Sequence, residues 1–193
     1  MQQPEFEPSP RASLVKPACV FYGVMLAAAW AWTSWMGRSL WFSSAGAMQR
    51  GVVPLDFAVG LVAGALVISV SAALSRTGWG RDLSQALGSL LGPLRWRDCL
   101  VLAVLSGVSE EAFFRGALQP EVGLFVASVI FGLAHLAPRR ELAPWCLFSF
   151  GAGLLLGVLF ERTGNLVAPV VAHFAVNAVN LRLLSTRWGG GTG

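Results

Sequence analysis

The segment DCLVLAVLSGVSEEAFFRGAL, residues 98–118, decides how this chain folds. A bilayer crossing takes roughly 20 mostly apolar residues, and the segment satisfies that, yet it carries Glu110, Glu111 and Arg115 in its interior. On the insertion scale a charge at the centre of a membrane helix costs about 2.5–3.5 kcal/mol. Three such residues in one span demand partners. The i, i+4 spacing of Glu111 and Arg115 provides one pairing; the rest must come from other helices.

Composition extends the membrane reading to the whole chain. Of 193 residues, 55% are apolar and only 12% are charged, against about 25% charged in soluble domains. The formal charge of +4 is spread between apolar runs, so it reads as topology signal and headgroup contact, with no nucleic-acid partner. Cys19, Cys99 and Cys146 are odd in number and far apart. They suggest neither a disulfide framework nor a cysteine zinc site, and each is expected to be a small buried apolar residue. The polar, proline-rich opening MQQPEFEPSPRASLVKP lacks the pattern of a cleavable signal peptide.

The expected fold is all-α, a polytopic transmembrane helical bundle. Its domain, 17–185, lies between a disordered tail (1–16) and a flexible Gly-rich tail (186–193). Six spans are expected: 17–36, 53–75, 98–118, 122–137, 143–160 and 165–184. The mixed stretch 78–97 reads as an interfacial amphipathic helix. Gly60 with Gly64, and Gly153 with Gly157, form GxxxG patterns that let helix backbones approach closely. Ten Lys/Arg (Arg11, Lys16, Arg76, Arg81, Arg95, Arg97, Arg139, Arg140, Arg182, Arg187) fall on the side of both termini, against Arg38, Arg50 and Arg162 opposite. The positive-inside rule then puts the N- and C-termini in the cytoplasm of a cell (inner) membrane protein.

Ionisable residues at membrane depth mark function by default. Here they are Glu110, Glu111, Arg115 and the chain's two histidines, His135 and His173, with Asn177 and Asn180 on the His173 helix face. A tight turn is expected at QPE, near Pro120. At about 1.5 Å per residue, Glu110 and His135 then lie roughly 15 and 22 Å from that turn, and His173 and Asn177 roughly 12 and 18 Å from the entry of the last span. Three helices thus deliver polar groups to the middle of a core about 30 Å thick. A lone intramembrane histidine is more often a packing residue; convergence is what distinguishes a site.

Such a cluster suits water activation against a carbonyl: a carboxylate as general base, imidazoles to orient water or move protons, and a carboxamide as oxyanion donor. Ser106 and Ser109 lack a G-x-S-x-G setting for a nucleophile. Two His and one Glu (Glu110, His135, His173) also form a zinc ligand set, although no H-E-x-x-H is present. A non-proteolytic membrane immunity or interaction protein, and a proton-coupled transporter, remain alternatives that use similar residues.

EEAFFRG, FGLAH and HFAVN, in this order on successive membrane segments, resemble the E-E-x-x-x-R, F-x-x-x-H and H-x-x-x-N motifs of the CPBP (ABI) family, which comprises type II CAAX prenyl proteases and bacteriocin-processing enzymes. The resemblance covers about residues 100–180. It implies an intramembrane endopeptidase acting on a membrane-anchored protein, with Glu110 as base and His135, His173 and Asn177 around the water and the oxyanion. Glu111 and Arg115 take positioning roles and Phe131 a packing role. The family has been described both as metal-dependent and as glutamic-type. A glutamic mechanism with no required cofactor is expected here in preference to zinc, because a single carboxylate and an Asn donor suffice without a metal. Six spans, where the family's prenyl proteases have about eight, weigh against a prenylated CaaX substrate and fit the myxosortase-like subgroup that trims C-terminal sorting tails. Bacteriocin maturation and self-immunity stay open as roles of other members.

Overall fold

The computed structural model describes residues 12–190. Eight helices run α1 Ala12–Trp35, α2 Ala45–Arg50, α3 Pro54–Leu74, α4 Gly78–Leu91, α5 Trp96–Glu111, α6 Gln119–Ala134, α7 Ala143–Thr163 and α8 Val167–Trp188, with a π-helical segment Ala112–Leu118 joining α5 to α6. The chain is an all-α helical bundle and a multi-pass membrane protein, with five helical stretches long and apolar enough to cross a membrane. The tail expected at 1–16 lies mostly outside the described residues, and residues 12–16 already belong to α1. At the other end α8 continues to Trp188.

One of the five stretches, Trp96–Ala134, is 39 residues long, which as a straight rod would measure nearly twice the hydrocarbon thickness. It is folded back on itself. Gly123 takes φ 80° and ψ 163°, a conformation open to glycine and closed to most other residues. Phe114 and Phe131, 17 positions apart, consequently stack edge-to-face with centroids 5.0 Å apart. The reversal thus sits at Gly123, three residues beyond the Pro120 expected from sequence. Proline without an N–H fits the first turn of a helix, and that is where Pro120 lies.

The last helix is the axis of the bundle. α8 packs against α3 on one side and α5 on the other, with α4 along its C-terminal half and α7 beside it. Small residues allow these approaches. A Cβ on Gly60 would sit 2.6 Å from the Ala168 carbonyl, and one on Gly64 would sit 3.1 Å from the Ala175 methyl. Gly153 and Gly157 give the same closeness between α7 and α6, at Ser128, Phe131, Gln119 and Leu124. Both GxxxG patterns are therefore packing seams.

α4 is amphipathic, as expected. Thr77 caps it, its hydroxyl accepting from Gly80 N–H at 3.1 Å, and Gly88 meets α8 at Leu184 and Trp188. At the opposite end, the α1–α3 connection lies across the α7–α8 turn. Leu166 N–H donates to the Trp41 carbonyl, and buried Asn165 donates to Asp56 Oδ2 at 2.8 Å. Cys99 is buried as expected, whereas Cys19 is exposed on the outward face of α1; an apolar thiol needs no burial where the surroundings are lipid.

Gly60→Leu should lower the thermal midpoint of the detergent-solubilised protein by several degrees, because Ala168 backbone has no freedom to retreat. Gly23→Leu, with nothing within 4 Å of the added Cβ, should leave the midpoint unchanged.

Candidate active site

The hairpin and α8 bring the expected residues together. Glu110, in the last turn of α5, has Oε2 3.8 Å from His135 Nε2 and 4.0 Å from His173 Nε2. Both separations exceed a direct hydrogen bond and are short enough for one water oxygen to bridge. Glu110 is 7% exposed, and Oε2 is a buried oxygen with no hydrogen-bond partner among the described residues. A buried polar atom left unmatched in this way calls for an explanation.

Glu111, fully buried, organises the other side. Its Oε1 lies 2.7 Å from His173 Nδ1, and its Oε2 lies 3.1 Å from Arg115 Nε. The contact to Nδ1 turns His173 so that Nε2 faces Glu110. Arg115, 1% exposed, also donates to the Gly153 carbonyl at 3.2 Å, which ties the cluster to α7. The π-helical turn that begins just after Glu111 adds a residue to the repeat; such turns are frequent at functional sites.

Phe131 is packing, as expected, but at the centre of the cluster. The Arg115 guanidinium sits 4.4 Å from its ring centroid, and the His135 ring is 4.7 Å away. Beyond it, the His173 ring stands edge-on at 6.1 Å. His135 caps the end of α6, its Nδ1 2.8 Å from the Phe131 carbonyl, which leaves Nε2 for Glu110. Trp145 of α7 closes its far side at 5.0 Å.

Asn177 reaches the cluster through α5. Its amide donates to Ser106 Oγ at 2.8 Å, one turn before Glu110 on α5, with no direct bond to Glu110 or the histidines. Asn180 leaves the cluster altogether: its Oδ1 accepts from Ser71 of α3 at 3.5 Å. The residue that sequence reasoning missed is Tyr22 on α1, whose hydroxyl donates to Glu110 Oε1 at 3.0 Å. It is the chain's single tyrosine, and that singularity in an apolar run was the available signal.

Among the described residues no three His, Cys, Asp or Glu side chains are grouped to hold an ion. His173 Nδ1 and both Glu111 oxygens are engaged with each other and with Arg115, and Glu110 meets each imidazole through a single oxygen.

Residues 92–179, which hold the carboxylates, both histidines and Asn177, match the family described as type II CAAX prenyl endopeptidase, Rce1-like. This region belongs to the CPBP family. Over 82 residues the chain is 43% identical to the uncharacterised protein YpbD of Bacillus subtilis (strain 168), covering 42% of each chain. Over 113 residues, 46% of this chain and 35% of the relative, it is 32% identical to CAAX prenyl protease 2 of Arabidopsis thaliana. It is 28% identical over 125 residues to CAAX prenyl protease 2 of Homo sapiens, covering 50% and 38%. The chain thus spans about two-fifths of the length of the curated relatives it matches, and no solved structure matches it significantly.

Arg115→Ala in this CPBP region leaves Glu111 buried without its cation and should destabilise the fold by about 3–5 kcal/mol. Adding Glu111→Gln should recover part of that loss, as read from denaturant unfolding of the detergent-solubilised variants.

Proposed function

We propose that the chain is a glutamic-type intramembrane endopeptidase that hydrolyses a peptide bond in a membrane-proximal segment of a membrane-anchored protein. The observation that carries this reading is the unmatched Glu110 Oε2, facing two imidazole nitrogens at 3.8 and 4.0 Å in a buried site. CPBP membership of the region and the names of the two CAAX prenyl proteases support the reaction class.

In this reading Glu110 Oε2 accepts a proton from a water molecule as the water oxygen attacks the scissile carbonyl carbon. Electron density moves onto the carbonyl oxygen, and the resulting tetrahedral species is stabilised by donors already in place. A carboxamide has two N–H donors; one from Asn177 goes to Ser106, and the other serves the oxyanion. His135 and His173 orient the water. Glu110 then passes its proton to the leaving nitrogen as the C–N bond breaks, which yields a new carboxyl end and a new amine end and restores the carboxylate.

The substrate is assigned to proteins carrying a C-terminal anchor or sorting tail, with the burial of Glu110 and His173 among helices long and apolar enough to cross a membrane as the supporting feature. Both termini are assigned to the cytoplasm of the cell membrane on the ten-to-three Lys/Arg asymmetry. Reporter fusions at either end should report the cytoplasmic side; a C-terminal fusion active on the outer face would overturn that orientation.

Two probes test the reaction in proteoliposomes: a peptide with a C-terminal transmembrane anchor and a farnesylated CaaX peptide. Wild type should cut the first, with new ends visible by mass spectrometry. Glu110→Gln, His135→Ala and His173→Ala should each lose at least about a hundredfold in rate, general-base catalysis being worth roughly 10²–10⁴. A strong chelator should leave the rate unchanged. Cleavage by Glu110→Gln at the wild-type rate, or no product from either peptide, would defeat the reading, the latter favouring a transport or binding protein. Preference for the farnesylated probe would move the substrate class alone, and chelator inhibition would move the mechanism to a metal.

A further inference from the structure

We propose that Tyr22 is a positioning residue for Glu110, and that α1 thereby completes a site whose other members all lie within residues 92–179. The inference rests on the reading of Glu110 as general base. α1 turns one stripe inward, with Val15, Ala18, Tyr22, Leu26, Ala29 and Thr33 at helical spacing. Tyr22 is the member of that stripe level with Glu110. A phenolic hydroxyl in an apolar setting needs a partner, and here the partner is Glu110 Oε1 at 3.0 Å.

The consequence concerns the other oxygen. The terminal torsion of a glutamate is broad and two-fold, so an untethered carboxyl group presents either oxygen in a range of directions. Tyr22 holds Oε1, and the geometry of the carboxyl group then aims Oε2 at His135 and His173. The base keeps one oxygen bonded and one free, the free one being that which the reaction uses.

Contacts at the C-terminal end of α1 make the placement of Tyr22 dependable. Trp32 stands edge-on to Phe113 with ring centroids 6.1 Å apart. Just beyond the helix, Arg38 pairs with Glu121 and donates to the Ala117 carbonyl at 3.4 Å. The far end of α1 is thus clamped to the hairpin that carries Glu110. Tyr22 supplies the polar contact between α1 and the carboxylates themselves.

Because the chain has one tyrosine, tyrosine labelled with ¹³C at Cζ gives a single resonance that reports this contact without any substrate. It should shift in Glu110→Gln and stay in place in Glu121→Gln, which alters only the clamp; a resonance indifferent to Glu110→Gln would refute the contact. In the proteoliposome assay Tyr22→Phe keeps the ring and should lower kcat about tenfold to a hundredfold, the worth of a hydrogen bond to a charged group, with KM nearly unchanged. Val24→Leu on the outward face should match wild type, and Tyr22→Phe should add nothing in the Glu110→Gln background. An inactive Glu110→Gln beside a fully active Tyr22→Phe overturns this inference alone, and so does a Tyr22→Phe effect confined to KM. An active Glu110→Gln overturns the reading it rests on.

Discussion

The arrangement depends on one buried carboxylate, Glu111, held between an arginine four residues ahead on its own helix and a histidine on α8. Neither partner is dispensable in hydrocarbon. A carboxylate without a cation would not stay charged there, and an arginine without a carboxylate would be as costly. The two contacts also do geometric work. The Arg115 contact fixes the Glu111 side chain, and the Glu111 contact to Nδ1 fixes the face that His173 presents to Glu110.

Around this pair the protein divides its polar residues by task. Glu111 pairs with Arg115 and bonds His173, and Arg115 donates to the Gly153 carbonyl, which ties α5, α7 and α8 together. Among the described residues Glu110 is left with a single protein donor, Tyr22, and a buried oxygen without one. Adjacent residues of the same type thus take different surroundings: Glu111 is ion-paired with Arg115 and bonded to His173, whereas Glu110 accepts from Tyr22 and faces two imidazole Nε2 atoms. Phe131 links the two halves, with the Arg115 guanidinium over its ring, the His135 ring tilted against it and the His173 ring roughly perpendicular to it.

The hairpin at Gly123 is what makes this possible in so short a chain. If α5, the π-helical turn and α6 formed one rod, Glu110 and His135 would be separated by 25 residues of helix, about 37 Å at 1.5 Å per residue. Folding back brings them within 4 Å. The price is a glycine in a conformation closed to other residues and close glycine packing between the returning arm and α7.

Much of this was legible in the amino-acid sequence because the membrane makes errors expensive. Apolar runs of the right length must be helices, since nothing else satisfies the backbone in lipid, and a charge inside one must have a partner. Those two constraints located the bundle, the clustering of Glu110, Glu111, Arg115, His135 and His173, and the seams at Gly60 and Gly153. Tertiary structure decided what depends on rotation and register, which rise per residue does not encode. The reversal fell at Gly123 and not at Pro120, because a positive φ needs glycine while proline suits a helix start. Asn177 turned to Ser106 and Asn180 to Ser71, because two positions on one stripe can face different neighbours when helices cross. Tyr22 joined from a helix that no motif includes. A single hydroxyl in an apolar span resembles an ordinary membrane-interface tyrosine until the fold shows what lies 3.0 Å away.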